Sequence, residues 1–84
     1  MKNKNWFGHF LKNKRILSGL SQGKVSKEFG YNSPQFVSNW ERGLCCPPMK
    51  TLKELCSLYS IEKKEMKNVL MKKREQEIDL GLKG

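Results

Sequence analysis

Residues 19–43 read Gly-Leu-Ser-Gln-Gly-Lys-Val-Ser-Lys-Glu-Phe-Gly-Tyr-Asn-Ser-Pro-Gln-Phe-Val-Ser-Asn-Trp-Glu-Arg-Gly, and they contain the clearest structural signals of the chain. Ser21 suits a helix N-cap, because its hydroxyl can accept from a free backbone N–H one turn later. Gly30 suits the end of that helix, since glycine has no Cβ to disfavour a left-handed backbone. Ser33 predicts the cap of a second helix, with Pro34 in its first turn. Two short helices joined by a tight turn are therefore expected.

The second of these helices, which ends at Gly43, has two chemically different faces. One face carries polar side chains: Gln35, Ser38, Asn39 and Arg42. The opposite face carries apolar and aromatic side chains: Phe36, Val37 and Trp40. Amides, a hydroxyl and a guanidinium match the edges of bases in a DNA major groove and the phosphates beside them. The same pattern also fits a surface helix with a polar outer face, so it favours nucleic-acid recognition only together with other features.

The charge balance of the chain is strongly basic. Its 84 residues include 17 Lys+Arg and 8 Asp+Glu, for a formal net charge of +9. A chain of this length is expected to form one domain. The charge favours a polyanionic partner, because neutralising phosphates releases counterions and drives binding. Charge alone does not separate DNA from RNA or from an acidic membrane surface.

Neither a membrane span nor a secretory signal is expected. The sequence has no run of about 18 apolar residues. Residues 1–5 are polar, and Gly8 and His9 interrupt the apolar residues that follow, so the N-terminus lacks a signal-peptide pattern. We therefore expect a cytoplasmic, nucleoid-associated protein with reduced cysteines.

The cysteines and the single histidine do not predict a metal site. Cys45 and Cys46 are adjacent, which is not C-x-x-C spacing, and His9 is distant in sequence. Cys56 is expected to be a small core residue. The sequence also lacks a carboxylate pair in a plausible cleft, a Gly-rich phosphate loop and a Cys–His nucleophile setting. We expect no metal, no cofactor and no enzymatic activity.

Apolar residues at helical spacing predict three further helices around the central pair. The first runs from Trp6 to about Ser18, and the fourth opens at Pro48 or Met49. The stripe of the fourth helix is expected to be buried: Leu52, Leu55, Cys56 and Tyr59. The fifth starts near Glu62 and turns three apolar residues inward: Met66, Val69 and Leu70. Leu44, in the loop of residues 43–48, is expected to tuck into the core.

These patterns together predict an all-α fold, a compact five-helix domain spanning residues 1–84. Residues 1–5 and 79–84 are expected to fray. The chain resembles the Cro/CI-type helix-turn-helix family, also called XRE or lambda-repressor-like, over roughly residues 7–71. The resemblance rests on the order and spacing of a set of anchors: Phe7, Gly8, Leu11, Arg15, residues 19–22, Gly30, residues 33–43, Pro48, Leu52, Leu55 and Ile61.

The resemblance implies roles for individual side chains. It assigns base contacts to Gln35, Ser38 and Asn39. It assigns phosphate contacts to Gln22, Lys24 and Arg42. Gln22 would also brace the helix of residues 33–42, which enters the major groove. Phe36 would either touch a thymine methyl or pack against its own domain. Arg15 and Glu41 would form an ion pair between the first and third helices; the alternative is a loose surface pair worth about 0–1 kcal/mol.

Three features depart from the usual form of the family. The turn from Gly30 to Ser33 is one residue longer, and Ser26 stands where the family usually has Ala. Trp40 is larger than the usual aliphatic residue at its position.

The implied function is sequence-specific binding of double-stranded DNA by a small, repressor-like transcriptional regulator. Members generally bind as homodimers to pseudo-palindromic operators, with recognition helices about 34 Å apart. The last helix offers apolar residues for a dimer contact: Val69, Leu70, Met71 and Ile78. One alternative is an antitoxin or adaptor whose last helix binds a partner protein, with DNA binding secondary. Another is charge-driven binding of any nucleic acid.

Overall fold

The structure, a computed structural model, consists of five helices. It describes the backbone of residues 5–83 and the side chains of residues 5–77. The helices are α1 (Trp6–Leu17), α2 (Gln22–Glu28), α3 (Gln35–Glu41), α4 (Met49–Leu58) and α5 (Lys63–Lys83). No strand occurs in the described backbone, and the all-α prediction is confirmed. Of the ends predicted to fray, residues 1–4 and 84 lie outside the described part, and α5 continues as helix to Lys83.

The two short helices lie where their boundary residues predict them, with one shift. The Ser21 hydroxyl accepts from the backbone N–H of Lys24 at 3.1 Å and caps α2. Ser33 was predicted to cap α3. In the structure the first hydrogen bond of that helix runs from Ser38 N–H to the carbonyl of Pro34, at 2.9 Å. The Ser33 hydroxyl accepts from Gln35 N–H over the long distance of 3.4 Å. Helix α3 therefore starts one residue later than predicted.

Four of the helices end in the same hydrogen-bonded turn, the Schellman motif. At the end of α3, Leu44 N–H donates to the carbonyl of Asn39 at 3.0 Å and Gly43 N–H to that of Trp40 at 3.3 Å. Equivalent bonds close α1, α2 and α4. The motif needs a residue with positive φ after the helix. Glycine supplies it in three cases, whereas Ser60, with φ of 56°, supplies it after α4.

Replacing Ser60 with Gly should raise the free energy of unfolding by about 1 kcal/mol, because a Cβ disfavours the left-handed backbone that Ser60 adopts. Urea unfolding followed by circular dichroism measures the change. Ser57→Gly, inside α4, is the matched control and should lower stability by about 0.5 kcal/mol. A loss of stability in both variants would contradict the strain assigned to Ser60.

The core is formed by apolar side chains from α1 to α5 and from the segment before α5: Phe7, Leu11, Val25, Val37, Trp40, Leu52, Leu55, Tyr59, Ile61 and Met66. Val69, Leu70 and Cys56 pack against it and are half-buried. Leu44 was predicted to join this core, but its side chain is 66% exposed. The turn at Gly43 directs Leu44 outward, and Pro47 is the buried residue of that loop.

Ser26 is a polar residue inside this core. It is 2% exposed, and its hydroxyl has no hydrogen-bond partner among the described residues. Since an unsatisfied buried hydroxyl costs about 1–3 kcal/mol, Ser26→Ala should raise the free energy of unfolding by about 1 kcal/mol. Ser21→Ala, which removes the cap of α2, should instead lower it by about 1 kcal/mol. Thermal unfolding of the two variants shows whether each substitution raises or lowers stability. Destabilisation by Ser26→Ala would contradict the claim that the buried Ser26 hydroxyl lacks a partner.

Candidate nucleic-acid interface

The outer face of α3 carries a connected row of polar side chains. Gln35 Nε2 donates to Asn39 Oδ1 at 2.9 Å, and Arg42 Nη2 donates to the same oxygen at 3.0 Å. Gln35 and Arg42 are exposed, and Asn39 lies half-buried between them. The structure thus brings three of the predicted DNA-contacting residues together on one accessible face.

Two further predicted contact residues flank this row. Ser38 is half-buried beside it. Phe36 is 52% exposed, and its ring centroid lies 4.6 Å from that of Tyr31. Phe36 therefore packs against its own domain with one side of the ring and presents the rest to solvent. That arrangement is compatible with each of the two roles expected for it.

The inner face of α3 is held by aromatic contacts. Trp40 is 4% exposed, and its ring makes edge-on contacts with Phe29, at 6.0 Å between centroids, and with Tyr31, at 6.2 Å. Val37 is fully buried beside it. Edge-to-face pairs stabilise a packing arrangement beyond the area that they bury. The outer face of α3 is therefore presented at a defined orientation.

A buried ion pair joins α3 to α1. Arg15 Nε donates to Glu41 Oε2 at 2.6 Å, and Arg15 Nη2 donates to Glu41 Oε1 at 3.1 Å. A third donor of Arg15, Nη1, binds the Leu20 carbonyl at 2.8 Å. Both charged residues are less than a tenth exposed. The hydrogen bonds to Glu41 raise the pKa of Arg15 above its ordinary value against the opposing effect of burial. This geometry is that of a buried pair and not of a loose surface pair.

Gln22 joins the same cluster from α2. Its Nε2 donates to Glu41 Oε1 at 2.9 Å, so the side chain braces α3. Gln22 is half-buried. Lys24, in the first turn of α2, is exposed and has no carboxylate within ion-pair distance in the described part of the chain. Arg42 and Lys24 are thus exposed, whereas Gln22 is engaged with Glu41.

The sequence did not predict the contacts that two residues, Asn5 and Gly8, make with α3. Asn5, assigned to the polar lead, donates from Nδ2 to the Glu41 carbonyl at 2.8 Å at the end of α3. Gly8 lies so close to α3 that an added Cβ would stand 2.4 Å from the Glu41 carbonyl oxygen. An Asn just before a helix is usually a cap for that helix, so only its partner 36 positions away reveals this role.

The remaining groups with metal-binding or nucleophilic chemistry are dispersed. Cys45 and Cys46 are exposed and Cys56 is half-buried, and all three are free thiols. Burial raises the pKa of Cys46 and of Cys56 above the ordinary thiol value. No three His, Cys, Asp or Glu side chains of the described residues are grouped as metal ligands. No helix within residues 5–83 is long and apolar enough to cross a bilayer.

A short helix with a buried apolar face, a polar outer face and a tight turn from the preceding helix defines a helix-turn-helix domain. The family model described as "Helix-turn-helix" matches residues 11–65, well over half of the chain. The chain therefore belongs to the Cro/CI-type (XRE) helix-turn-helix family of DNA-binding regulators, which is typically non-enzymatic. No curated protein and no solved structure shows significant similarity to it.

Proposed function

We propose that this protein binds double-stranded DNA in a sequence-specific manner and acts as a small, repressor-like transcriptional regulator. The observation that carries the proposal is the exposed Gln35–Asn39–Arg42 row on a helix whose opposite face is buried. In this proposal α3 enters the major groove, as recognition helices of helix-turn-helix proteins do. Since the proposed ligand is DNA, we also propose that the protein is located in the cytoplasm, on the nucleoid.

The free atoms of the row suit an adenine. The bond from Gln35 Nε2 to Asn39 Oδ1 leaves Gln35 Oε1 as an acceptor and Asn39 Nδ2 as a donor. Adenine presents the complementary pair in the major groove, a donor at N6 and an acceptor at N7. We assign base contacts to Gln35, Asn39 and the neighbouring Ser38. Phe36, at the edge of the row, is assigned to a thymine methyl group.

Phosphate contacts are assigned to Arg42, Lys24 and Gln22. Arg42 ends the row, Gln22 binds the neighbouring Glu41, and Lys24 is exposed on α2. Phosphate contacts supply affinity and register without reading sequence. The net charge of +9 adds a long-range attraction to the duplex.

A homodimer on a pseudo-palindromic site completes the proposal, with two copies of α3 about 34 Å apart. The sequence assigns the dimer contact to the last helix, α5. Val69 and Leu70 are already half-buried against the core, whereas Met71 is exposed, and the side chain of Ile78 lies outside the described residues. The described part of α5 therefore offers a second copy little apolar surface beyond Met71 and the accessible parts of Val69 and Leu70.

Substitutions in the row test this proposal. A selection from random duplexes first yields the preferred site. Gln35→Ala should then cost about 1–3 kcal/mol of binding free energy at one base pair only, because it removes a base contact. Arg42→Ala should weaken binding to all sequences alike and reduce the salt slope by about 1. Fluorescence anisotropy on the selected site, its single-base variants and a random duplex measures these effects.

The outcome discriminates between functions. Equal weakening of specific and random DNA by both variants would refute the assigned roles. Equal affinity and salt slope of the unmodified protein on all duplexes would indicate charge-driven binding. No effect of either variant on DNA, with a protein partner still bound, would favour the antitoxin or adaptor alternative. Enrichment of a palindrome would support the dimer.

A further inference from the structure

An open groove of about 1010 Å³ runs between α4 and α5, and no assigned DNA contact lines it. Its floor consists of buried core side chains, namely Leu52, Ile61 and Met66. At its edges Met49 is 59% exposed and Met71 is 53% exposed. Methionines of this kind suit a binding surface, because the unbranched thioether adapts to a partner's shape. The groove thus offers apolar contact area beyond what the domain itself uses.

The rim of the groove is basic. Five cationic side chains line it: Lys53, Lys63, Lys67, Lys73 and Arg74. One carboxylate also lies among the described lining residues, that of Glu77, and it is paired with Lys73. The other four cations form no ion pair within the described part of the chain. Apolar contact area is therefore combined with uncompensated positive charge.

We infer that this groove binds an acidic amphipathic helix of another protein. The apolar floor takes one face of such a helix, and the basic rim pairs with acidic residues on its flanks, a recurring mode of helix-in-groove recognition. Along α4, whose ten residues extend about 15 Å, the groove accommodates about three turns of an incoming helix. Its open side suits a helix better than a small molecule, which pockets enclose on most sides.

Charge complementarity favours this occupant over the alternatives. Pairing two copies of the chain through this groove would bring the same cations face to face, and like charges across an interface weaken association. A DNA backbone would pair with the rim but would leave the methionine and leucine side chains without apolar contacts, since contacts to phosphate and sugar are polar. An acidic amphipathic helix satisfies both features at once.

The groove and the outer face of α3 share no residue. Occupation of the groove therefore leaves the outer face of α3 accessible, and a protein that failed one test could pass the other. Leu70 and Met71, which the proposed function assigns to the dimer contact, also line the groove, so a bound partner and a second copy would compete for them. The arrangement allows a regulator to hold DNA with α3 while an acidic protein is bound between α4 and α5.

The test uses the full chain and a labelled synthetic peptide of about 15 residues, the length of four helical turns. The peptide carries Leu along one helical face and Glu at most other positions. A scrambled peptide of the same composition has no apolar face. Fluorescence anisotropy should show binding of the amphipathic peptide and at least about tenfold weaker binding of the scrambled one, a difference of 1.4 kcal/mol.

Two matched charge-reversal variants locate the site. Lys53→Glu with Lys67→Glu changes two rim residues. Lys50→Glu with Lys64→Glu changes two exposed lysines of the same helices that do not line the groove. Both variants have the same net charge, and all four positions are exposed, so the fold should be retained in each. The rim variant should lose at least about tenfold in peptide affinity, whereas the control should lose less than about threefold, because only the lysines that line the groove can pair directly with the bound peptide.

Several outcomes would overturn the inference. Equal losses in the two variants, or equal binding of both peptides, would mean that only bulk charge attracts the peptide. Absence of binding would also refute it. Sedimentation of the unmodified chain as a dimer that Met71→Glu separates, together with failure of the amphipathic peptide to bind, would assign the groove to a second copy. DNA binding on the selected site is measured in parallel, so that failure here is distinguishable from failure of the proposed function.

Discussion

Replacing Glu41 with Gln should lower the free energy of unfolding by about 3–5 kcal/mol, which is the cost of leaving one member of a buried ion pair without its partner. Glu41 accepts three hydrogen bonds, two from Arg15 and one from Gln22. The NH₂ group of the new Gln would face an N–H donor of Arg15 or Gln22, where a carboxylate oxygen accepted a hydrogen bond before. The positive charge of the Arg15 guanidinium would also stay buried without a negative partner. Urea unfolding followed by tryptophan fluorescence measures the loss.

The control for this prediction removes both charges. The double variant Arg15→Met with Glu41→Leu should be more stable than either single variant, since apolar replacement of a whole buried pair is often neutral or stabilising. If Glu41→Gln is unfolded at 25 °C, the same comparison in a Ser26→Ala background recovers the measurement. A loss of about 1 kcal/mol or less would contradict the buried pair and indicate an exposed one.

Gly8→Ala should destabilise the protein by about 3 kcal/mol, at the upper end of the cost of overpacking, because the new methyl group meets backbone. Its Cβ would stand 2.4 Å from the Glu41 carbonyl oxygen and 2.9 Å from the carbonyl carbon. Neither atom can move away without shifting the end of α3 relative to α1. The variant should therefore also weaken specific DNA binding, since a shift of α3 would move the polar row on its outer face.

Gly23→Ala is the matched control, since Gly23 also lies within a helix. The nearest atom to its added Cβ is the Ser21 hydroxyl oxygen at 3.9 Å, an ordinary contact. This variant should gain up to about 1 kcal/mol, because Ala is a better helix former than Gly. Thermal unfolding of both variants shows whether each substitution raises or lowers the stability of the protein. Stabilisation by Gly8→Ala would show that α1 and α3 are not in close contact at this point.

Most of the helix-turn-helix could be predicted because its signals are local. The caps at Ser21 and Gly30 act within one turn, and the two faces of α3 follow from a 3.6-residue period. The family match over residues 11–65 agrees with the resemblance seen in the sequence. The start of α3 was one residue off, because the local sequence does not decide whether the carbonyl of residue 33 or that of Pro34 accepts the first helical bond.

Leu44 is apolar, yet the turn at the adjacent Gly43 points it to solvent, so a local turn outweighed the hydrophobic pattern. The omissions concern long-range packing. Asn5 looked like part of a loose lead, yet it binds the end of α3. The groove between α4 and α5 was not anticipated, since its apolar floor and basic rim come from segments that show only ordinary amphipathic patterns. In both omissions the deciding contacts join residues that periodicity cannot relate.

Residue order alone determined the number and type of helices, the two faces of α3 and the basic character of the surface, since each depends on neighbours within a turn or two or on composition. Tertiary structure decided that Arg15 and Glu41 form a buried pair, that Gly8 permits close contact between α1 and α3, and that α4 and α5 leave a basic, apolar groove between them. The reason is physical: burial and ion pairing depend on distances between segments, and these exist only once the helices have packed.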